Sequence, residues 1–330
     1  MLRLTSSRVG LAVEAPAKVN LTLRVVGVRP DGYHDLESVV AAVGLLDRLR
    51  FEPADDLDLV CGDAAVPPGD DNLVMKAARL LRESCGTCQG ARVYLEKHIP
   101  AGRGFAGGSS DAAAALAGLN ALWQCGRTPA ELAALGARLG SDVPLFFSSP
   151  VAVMRGRGER VEPVKAQPPW WLALAWPDYG NPTADVYAAY DRLAQKRWSE
   201  KVSGTLSRRV PDTFSDPDTF SEPAATDILK VLEGPARRAA AFLVNDLEPA
   251  ARTLQPGGPG VRALLERAGA AAVGMTGSGS AYFALADTEA EARSLADAVR
   301  CAGAHAVAAP FFRSMAVRKE TQHESNERHR

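Results

Sequence analysis

A chain of 330 residues is long enough for about two domains with their own hydrophobic cores. Hydrophobic residues make up 46% and charged residues 23%, an ordinary globular balance, and the formal net charge of -1 excludes a globally basic surface for nucleic acid or anionic membrane. No apolar run is long enough to span a membrane or to form the core of a secretory signal. We therefore expect a cytoplasmic protein with neither nucleic acid nor membrane as a partner.

The five cysteines are an odd number and are scattered along the chain, which argues against a disulfide framework. Cys85 and Cys88 have the spacing of metal ligands, but neither a second cysteine pair nor a histidine pair accompanies them. A pair of free thiols is therefore favoured over a zinc site.

The first predicted strand covers residues 11–28 and is interrupted near Pro16, which suggests an edge or a strand entry. Lys18 and Asn20 are polar residues on one face of this strand. From the pattern alone, that face is best explained as the solvent side of an amphipathic strand.

A Pro-Asp-Gly turn follows and leads into Tyr33 and His34. These two side chains suit stacking on a flat ring and hydrogen bonding to it, although packing within a hairpin explains them as well. The next predicted elements are strands at 36–43 and 47–59 and a helix at 73–83 with Asp71 or Asn72 as its N-cap.

Between a predicted strand at 91–99 and an alanine-rich helix at 112–123 lies a glycine-rich turn. Its glycines allow backbone N–H groups to converge, and the helix that follows adds unpaired N–H groups and a positive dipole end that attract phosphate. Ser109 and Ser110 either cap that helix or offer hydroxyls to an anion or its metal. The turn lacks the spacing of a Walker A loop, and no acidic residue stands where a dinucleotide site needs one. We predict a nucleotide-phosphate cradle.

Asp142 follows a helix at 129–139, which Thr128 caps, and precedes the apolar run 143–147. A carboxylate held against that run would be partly desolvated and suited to general-base work, or it could simply cap a short turn, and the spacing does not decide between the two. In phosphoryl transfer to an alcohol, a carboxylate that accepts the hydroxyl proton and a cation beside it could supply the protein's share of the chemistry. Asp142 and Lys18 are the candidates for this pair.

The second half of the chain alternates strands and helices around one biased segment. Residues 196–226 are rich in Ser, Pro, Asp and Thr and repeat Pro-Asp-Thr-Phe-Ser, which indicates a flexible insertion. The Gly-Ser turn at 276–280 is either a tight hairpin or an anion-facing nest. The predicted elements are strands at 151–164, 170–176, 271–275, 281–286 and 305–317, helices at 183–193, 235–244, 259–268 and 288–299, and a disordered polar tail at 313–330.

Four motifs in one order carry a resemblance. The run Pro-x-Gly-x-Gly-x-x-Gly-Gly-Ser-Ser-Asp that starts at Pro100 resembles the ATP-binding motif of the galactokinase, homoserine, mevalonate and phosphomevalonate kinase (GHMP) superfamily. The other three are similar to the branch that phosphorylates a cytidine diphosphate-linked methylerythritol in the non-mevalonate isoprenoid pathway. They are Pro16-Ala-Lys-Val-Asn-Leu with its continuation to Arg29-Pro-Asp-Gly-Tyr-His34, Gly140-Ser-Asp-Val-Pro-Leu-Phe146, and Thr276-Gly-Ser-Gly279.

The resemblance implies an α+β fold of two domains with the site in the cleft between them. Residues 1–162 would form an ATP-binding domain similar to a ribosomal-protein-type fold, and residues 163–312, with the insertion, a ferredoxin-like substrate-side domain. It also implies ATP-dependent phosphorylation of the C2 hydroxyl of the small-molecule substrate, with Mg²⁺ required to neutralise the phosphates.

The same resemblance assigns roles to individual residues. Lys18 and Asp142 would be the catalytic pair, with Lys97 near the adenine or its ribose. The ATP phosphates would bind the cradle formed by Pro100, Ala101, Gly102, Arg103, Gly104, Phe105, Ala106, Gly107, Gly108, Ser109 and Ser110. The substrate side would consist of Asn20, Tyr33, His34, Thr183 and Tyr187, with Gly277, Ser278 and Gly279 near the transferred phosphate.

The cradle departs from the family pattern at two positions. Phe105 replaces a leucine, and Arg103 stands where a glycine or alanine is expected, so Arg103 either helps to neutralise phosphate or points into water. If its backbone needed a positive φ, it would also add strain. The alternatives are another GHMP kinase of homoserine or mevalonate type, which Tyr33 and His34 disfavour, and a non-catalytic nucleotide sensor, which Lys18 and Asp142 disfavour.

Overall fold

The computed structural model describes residues 1–7, 10–63, 66, 69–203, 225–255 and 260–312. These residues form two β-sheets with helices on their outer faces. The strands are β1 Arg3–Ser7, β2 Gly10–Asn20, β3 Thr22–Val28, β4 His34–Ala54, β5 Leu57–Cys61, β6 Gly90–Glu96, β7 Val151–Gly156, β8 Arg160–Val164, β9 Trp171–Trp176, β10 Val244–Asn245, β11 Val273–Met275, β12 Tyr282–Ala286 and β13 His305–Pro310. The α-helices are α1 Leu73–Cys85, α2 Gly107–Leu122, α3 Pro129–Ala137, α4 Thr183–Ser203, α5 Ala236–Ala239, α6 Glu248–Thr253, α7 Val261–Arg267 and α8 Glu289–Cys301.

The larger sheet is built around β4, which pairs with β2, β3, β6 and β7. The sequence predicts two strands here, but the 21 residues of β4 form one continuous strand because different partners cover its two ends. β1 pairs with β2 only as far as Glu14, so the edge of β2 is open beyond that residue. Pro16 lies in this open part, at a bulge against β4, where its missing N–H costs no ladder bond to β1.

The smaller sheet has the order β11-β12-β9-β13 and is antiparallel throughout. With α4 after β9 and α8 between β12 and β13, it has the β-α-β-β-α-β pattern of ferredoxin-like folds. The predicted α+β class is confirmed. The domain boundary between residues 162 and 163 stays a prediction.

Alternation along the strands determines how the layers pack. One face of β4 packs on α1, α2 and α3 through residues such as Val40 and Phe51, and the other face packs on the smaller sheet through Val39 and Ala41. The far face of the smaller sheet is covered by α6, α7 and α8, where Tyr282 is buried. Each sheet is thus buried on both sides, and the site lies where the two sheets and their loops meet.

Several observed element boundaries differ from the predicted ones. The helix predicted at 183–193 continues to Ser203, so the start of the predicted insertion is helical, and a short 3-10 helix occupies Ala225–Lys230. Residues 204–224 and the predicted tail at 313–330 lie outside the described residues. Among the helices that are described, none has both the length and the apolar character needed to cross a membrane.

Candidate active site

Lys18 and Asn20 lie on the open edge of β2, where two loops bind to the backbone. The Lys18 N–H donates to the carbonyl of Phe105 (3.0 Å), and the Asn20 N–H donates to Thr276 Oγ1 (3.2 Å). Both side chains are buried, with 4% and 6% of their surface exposed. The expectation of a solvent face was wrong because the glycine-rich turn and the β11–β12 turn, both distant in sequence, cover this strand.

The Lys18 ammonium group lies between an amide and a carboxylate. Its Nζ is 2.6 Å from Asn20 Oδ1 and 3.8 Å from Asp142 Oδ2. Burial lowers the pKa of Lys18, and the charge of Asp142 opposes that shift. Asp142 occupies the N-cap position of the 3-10 helix Val143–Phe147, but its side chain forms no capping hydrogen bond and is 35% exposed. The carboxylate is therefore not engaged in capping and faces the cavity.

Asn20 joins the two halves of the site. Its Oδ1 accepts hydrogen bonds from Lys18 Nζ and from the backbone N–H of Gly277 (2.9 Å), and its Nδ2 donates to Ser38 Oγ (2.8 Å). A single amide thus fixes the lysine, the β4 strand and the β11–β12 turn relative to one another.

The N-terminus of α2 is open toward the cavity. Ala106 is its N-cap, with φ at 57° and no side-chain capping bond. Because the helix begins at Gly107, Ser109 and Ser110 lie inside its first turn, so of the two alternatives for these serines the capping role is excluded. The first N–H groups of α2 are thus left without a side-chain cap, which is the arrangement that binds phosphate at a helix N-terminus.

Gly104 and Gly277 allow the two turns to touch. A Cβ on Gly104 (φ +89°) would lie 2.2 Å from the Thr276 carbonyl oxygen, and one on Gly277 (φ +57°) would lie 3.1 Å from the Gly104 carbonyl oxygen. Glycine at these positions is thus required by contact between the two turns and by backbone conformation.

The Arg103 guanidinium binds backbone carbonyl oxygens. It donates to those of Pro177 (3.2 Å) and Asp178 (2.5 Å), in the segment that follows β9, and to that of Ala101 (3.2 Å) within the turn itself. The φ of Arg103 is not positive, so this residue carries no left-handed strain. The non-glycine residue of the turn with a positive φ is Ala106. Phe105 is fully buried, and its ring packs edge-on against Trp176 at a centroid distance of 5.8 Å. Both departures from the family pattern thus contact the Trp176–Asp178 segment.

Lys97 belongs to a buried cluster of charges that the sequence did not reveal. Its Nζ is 2.5 Å from Asp47 Oδ2 and 2.8 Å from Asp111 Oδ2. Asp47 Oδ1 also accepts the backbone N–H groups of His98 and Ile99. One ammonium charge faces two buried carboxyls, so the cluster is more stable when one of the two carboxyls is protonated. Burial raises the pKa of Asp111 to about 8 despite the Lys97 charge. We place the proton on Asp111, the carboxyl that accepts no backbone N–H groups from the described residues, whereas Asp47 Oδ1 accepts two.

Aromatic rings form the opposite end of the site. The His34 ring lies 4.8 Å from the Tyr187 ring and its Nε2 is 2.8 Å from Asp191 Oδ1. Burial raises the pKa of Tyr187, and the charge of Asp142 adds to this, so the phenol stays protonated. Tyr33 is 56% exposed, and the Arg157 guanidinium lies over its ring. Asp191 and Arg157 carry no local sequence signal.

One cavity of about 970 Å³ brings most of the predicted site residues together. Thr183 Oγ1 and Ser278 Oγ are 3.0 Å apart at its wall. Phe105 and Ser110 are fully buried and do not line it, because one packs on the second sheet and the other faces inward from α2. The predicted residues that line it are Lys18, Asn20, Tyr33, His34, Lys97, Pro100, Ala101, Gly102, Arg103, Gly104, Ala106, Gly107, Gly108, Ser109, Asp142, Thr183, Tyr187, Gly277, Ser278 and Gly279.

Comparison with known proteins agrees with this architecture. The family models "GHMP kinases N terminal domain" and "GHMP kinases C terminal" match residues 72–149 and 228–305. A homoserine kinase structure from Cytophaga hutchinsonii is 17% identical, and the match covers 93% of this chain and 96% of that chain with a TM-score of 0.65. At this identity the likeness is evidence for the fold alone. Fold and site together define a GHMP kinase.

Closer relatives narrow the class. A 4-diphosphocytidyl-2-C-methyl-D-erythritol kinase from Pelotomaculum thermopropionicum is 41% identical over 278 residues, which cover 83% of this chain and 89% of the relative. A crystal structure of 4-(cytidine 5'-diphospho)-2C-methyl-D-erythritol kinase is 36% identical, with a TM-score of 0.69 over 94% of this chain and 98% of that chain. The chain belongs to the 4-diphosphocytidyl-2-C-methyl-D-erythritol kinase family. It is therefore an enzyme, a phosphotransferase with an alcohol group as acceptor.

Proposed function

We propose that the protein transfers the γ-phosphoryl group of ATP to the C2 hydroxyl of 4-diphosphocytidyl-2-C-methyl-D-erythritol, a step in making isoprenoid precursors. The names of its relatives support this substrate. The observation that carries the mechanism is the Asp142 carboxylate, 3.8 Å from the buried Lys18 ammonium, in a cavity with a helix N-terminus at one end and aromatic rings at the other.

The glycine-rich turn is the donor end of the proposed site. The N-terminal N–H groups of α2 would bind the ATP phosphates, and the positive end of the helix dipole favours their charge. Gly108 lines the cavity and has open space beside it, because a Cβ there would approach only Leu73 Cδ1, at 3.5 Å. Lys97 lies at this end, but its charge is already shared by Asp47 and Asp111, so we propose that it supports the nucleotide pocket as part of that cluster.

Asp142 is the proposed general base. As the substrate oxygen forms its bond to the γ-phosphorus and the bond to the β–γ bridging oxygen breaks, Asp142 would accept the hydroxyl proton. Lys18 would orient Asp142 and stabilise the charge that develops on the transferred group. Asn20 Oδ1 holds Lys18 Nζ at 2.6 Å, which positions the lysine 3.8 Å from the Asp142 carboxylate.

The acceptor end would bind the cytidine. Tyr33 offers an exposed ring for stacking on cytosine, Tyr187 is the candidate second ring, and His34, held by Asp191, is placed to hydrogen-bond the base edge. Thr183 and Gly277 through Gly279 would lie near the transferred phosphate.

Magnesium is part of this proposal. Within the described residues, no group of three or more His, Cys, Asp or Glu side chains could hold a metal ion, and Mg²⁺ commonly relies on substrate phosphates with only one or two protein ligands. The Ser109 hydroxyl, which lines the cavity, fits that role, while Asp142 is kept as the proposed base; Asp111 fits poorly because burial favours its protonated form. When bound, the ion neutralises charge on the phosphates.

A substrate panel tests the proposal. We expect ATP-dependent phosphorylation of the cytidylated methylerythritol, with homoserine and mevalonate turned over far more slowly because neither engages the aromatic end. Tyr33→Ala should raise KM for the substrate and leave KM for ATP unchanged. Preferred turnover of homoserine or mevalonate would replace the proposed substrate, and ATP binding without transfer to any of the three alcohols would indicate a sensor. Cytoplasmic location and the absence of a nucleic-acid partner stay predictions.

A further inference from the structure

Arg157 lines the cavity, and the resemblance to known kinases gives it no role. It lies in the turn between β7 and β8, and its guanidinium carbon is 4.6 Å from the centroid of the Tyr33 ring. In the part of the chain that the structure describes, this guanidinium forms no hydrogen bond and no ion pair. It is an exposed cation that is held in place by an aromatic ring.

The other cavity-lining cations are already engaged. Lys18 is held by Asn20, Lys97 is shared by two carboxyls, and Arg103 donates to three carbonyl oxygens. The carboxylate that interacts electrostatically with Arg157 is Asp31, which is itself paired with Arg29 at 3.3 Å. Among the described residues, Arg157 is therefore the cavity cation that remains available to an anionic ligand.

The turn that carries Arg157 runs between the two ends of the acceptor site. A Cβ on the next residue, Gly158, would lie 3.7 Å from Asp142 Oδ1, so the turn packs against the segment of the proposed base. On its other side, Arg157 covers the Tyr33 ring. A substrate whose base stacks near Tyr33 and whose hydroxyl reaches Asp142 must place the atoms between them close to Arg157.

We propose that Arg157 binds the diphosphate that links the nucleoside to the alcohol and so selects nucleoside diphosphate-linked substrates. This inference rests on the proposed function. A guanidinium presents several N–H donors in one fixed plane and matches two phosphate oxygens at once, whereas a lysine ammonium acts as a point charge without that planar fork. The contact with the Tyr33 ring reduces the freedom that the side chain would lose on binding, and the Tyr33 side chain remains 56% exposed.

Calorimetric titration with cytidine 5′-diphosphate and with cytidine separates the diphosphate from the base. The titrations use full-length protein saturated with a non-hydrolysable ATP analogue and Mg²⁺, so that the glycine-rich turn is occupied. Arg157→Ala removes the cation, and Arg157→Lys keeps a charge without the planar fork. Arg160→Ala is the matched control, because Arg160 is an exposed arginine of the same hairpin that does not line the cavity.

We expect Arg157→Ala to weaken cytidine diphosphate binding about tenfold, as loss of a charge-assisted hydrogen-bonded pair does, and cytidine binding much less. Arg157→Lys should fall between, and Arg160→Ala should match wild type. Equal weakening for both ligands would show that Arg157 only supports the ring, and no weakening would show that it contributes to neither ligand; either result would overturn the inference. If wild type bound cytidine but bound cytidine diphosphate no more tightly, the inference would fail while the proposed function stood. If wild type bound neither ligand, both would fail.

Discussion

The ammonium group of Lys18 is closer to the Asn20 amide oxygen, at 2.6 Å, than to the Asp142 carboxylate, at 3.8 Å. A neutral group therefore holds the lysine, and the carboxylate that we propose as the base lies farther from it. Asn20 binds the Gly277 N–H with the same oxygen, so the lysine position also depends on the turn between β11 and β12. The Asn20 amide thus serves both the proposed chemistry and the contact between the two sheets.

Lys18→Met should separate stability from activity. Because burial lowers the pKa of Lys18, the charged side chain subtracts from stability at neutral pH, and this loss fades as pH rises toward the ordinary lysine value of 10.5. We expect the free energy of unfolding at pH 7 to be equal to or larger than that of wild type, while phosphoryl transfer falls about 100-fold or more. Denaturant titration and steady-state kinetics measure the two effects.

Lys97→Met is the contrasting variant. It leaves the buried Asp47 carboxylate without its cation, so we expect a loss of about 3–5 kcal/mol in the free energy of unfolding. A similar destabilisation by Lys18→Met would show that Lys18 is a structural cation and would contradict the assignment above.

Asp111→Asn should change how stability depends on pH. Burial raises the pKa of Asp111 to about 8 in the folded protein, against 3.8 for the ordinary carboxyl, so folding takes up a proton between these values. Wild-type stability should then fall as pH rises from about 4 to about 8, and Asp111→Asn should reduce that slope. The slope is obtained by measuring the free energy of unfolding at about pH 5, 6, 7 and 8. Asp47→Asn should instead destabilise at every pH, since Asp47 binds two backbone N–H groups; an unchanged slope for Asp111→Asn would contradict the protonated assignment.

Arg103→Ala should loosen the glycine-rich turn. The variant removes the hydrogen bonds to the carbonyls of Pro177 and Asp178, so the turn loses its attachment to the segment after β9. We expect KM for ATP to rise several-fold with kcat nearly unchanged, and Arg103→Gly to do the same with some added backbone freedom. Steady-state kinetics at saturating acceptor provides both constants. An unchanged KM for ATP would show that the turn holds its shape without this contact.

Ala106→Gly should relieve the strain that the turn does carry. Ala106 has a φ of 57°, a conformation that costs a residue with a Cβ about 1–2 kcal/mol, so the variant should be more stable by about 1 kcal/mol. Ala101→Gly is the matched control in the same turn: its φ is not positive, and glycine should lower stability there by about 0.5 kcal/mol or more. Denaturant titration distinguishes them, and destabilisation by Ala106→Gly would show that its methyl contacts outweigh the strain.

Local roles such as helix caps could be predicted from the sequence, but the direction in which the site side chains point could not. Thr128 and Asn72 cap their helices as local patterns indicate, because a cap depends on residues within one turn. The burial of Lys18 and Asn20 could not be predicted from alternation, since the two turns that cover them are distant along the chain, the one on Asn20 by 256 residues. Arg103 is a similar case, because two of the carbonyls that it binds are about 75 residues along the chain and carry no sequence signal.

Residues that act through other side chains were the hardest to predict. Asp47, Asp191 and Arg157 lie in a long strand, a helix and a turn, where an isolated charged residue is ordinarily a solvated one. Only the folded chain places Asp47 against Lys97, Asp191 against His34 and Arg157 over the ring of Tyr33.

The most direct test of the account is ATP-dependent phosphorylation of 4-diphosphocytidyl-2-C-methyl-D-erythritol by wild type and Asp142→Asn. The variant should bind ATP and cytidine diphosphate as wild type does, while kcat falls about 10²–10⁴-fold because the hydroxyl proton loses its acceptor. Asp185→Asn, an exposed carboxylate of α4 outside the cavity, should keep full activity. Wild-type turnover by Asp142→Asn, with both ligands bound, would contradict the central claim that this carboxylate is the base.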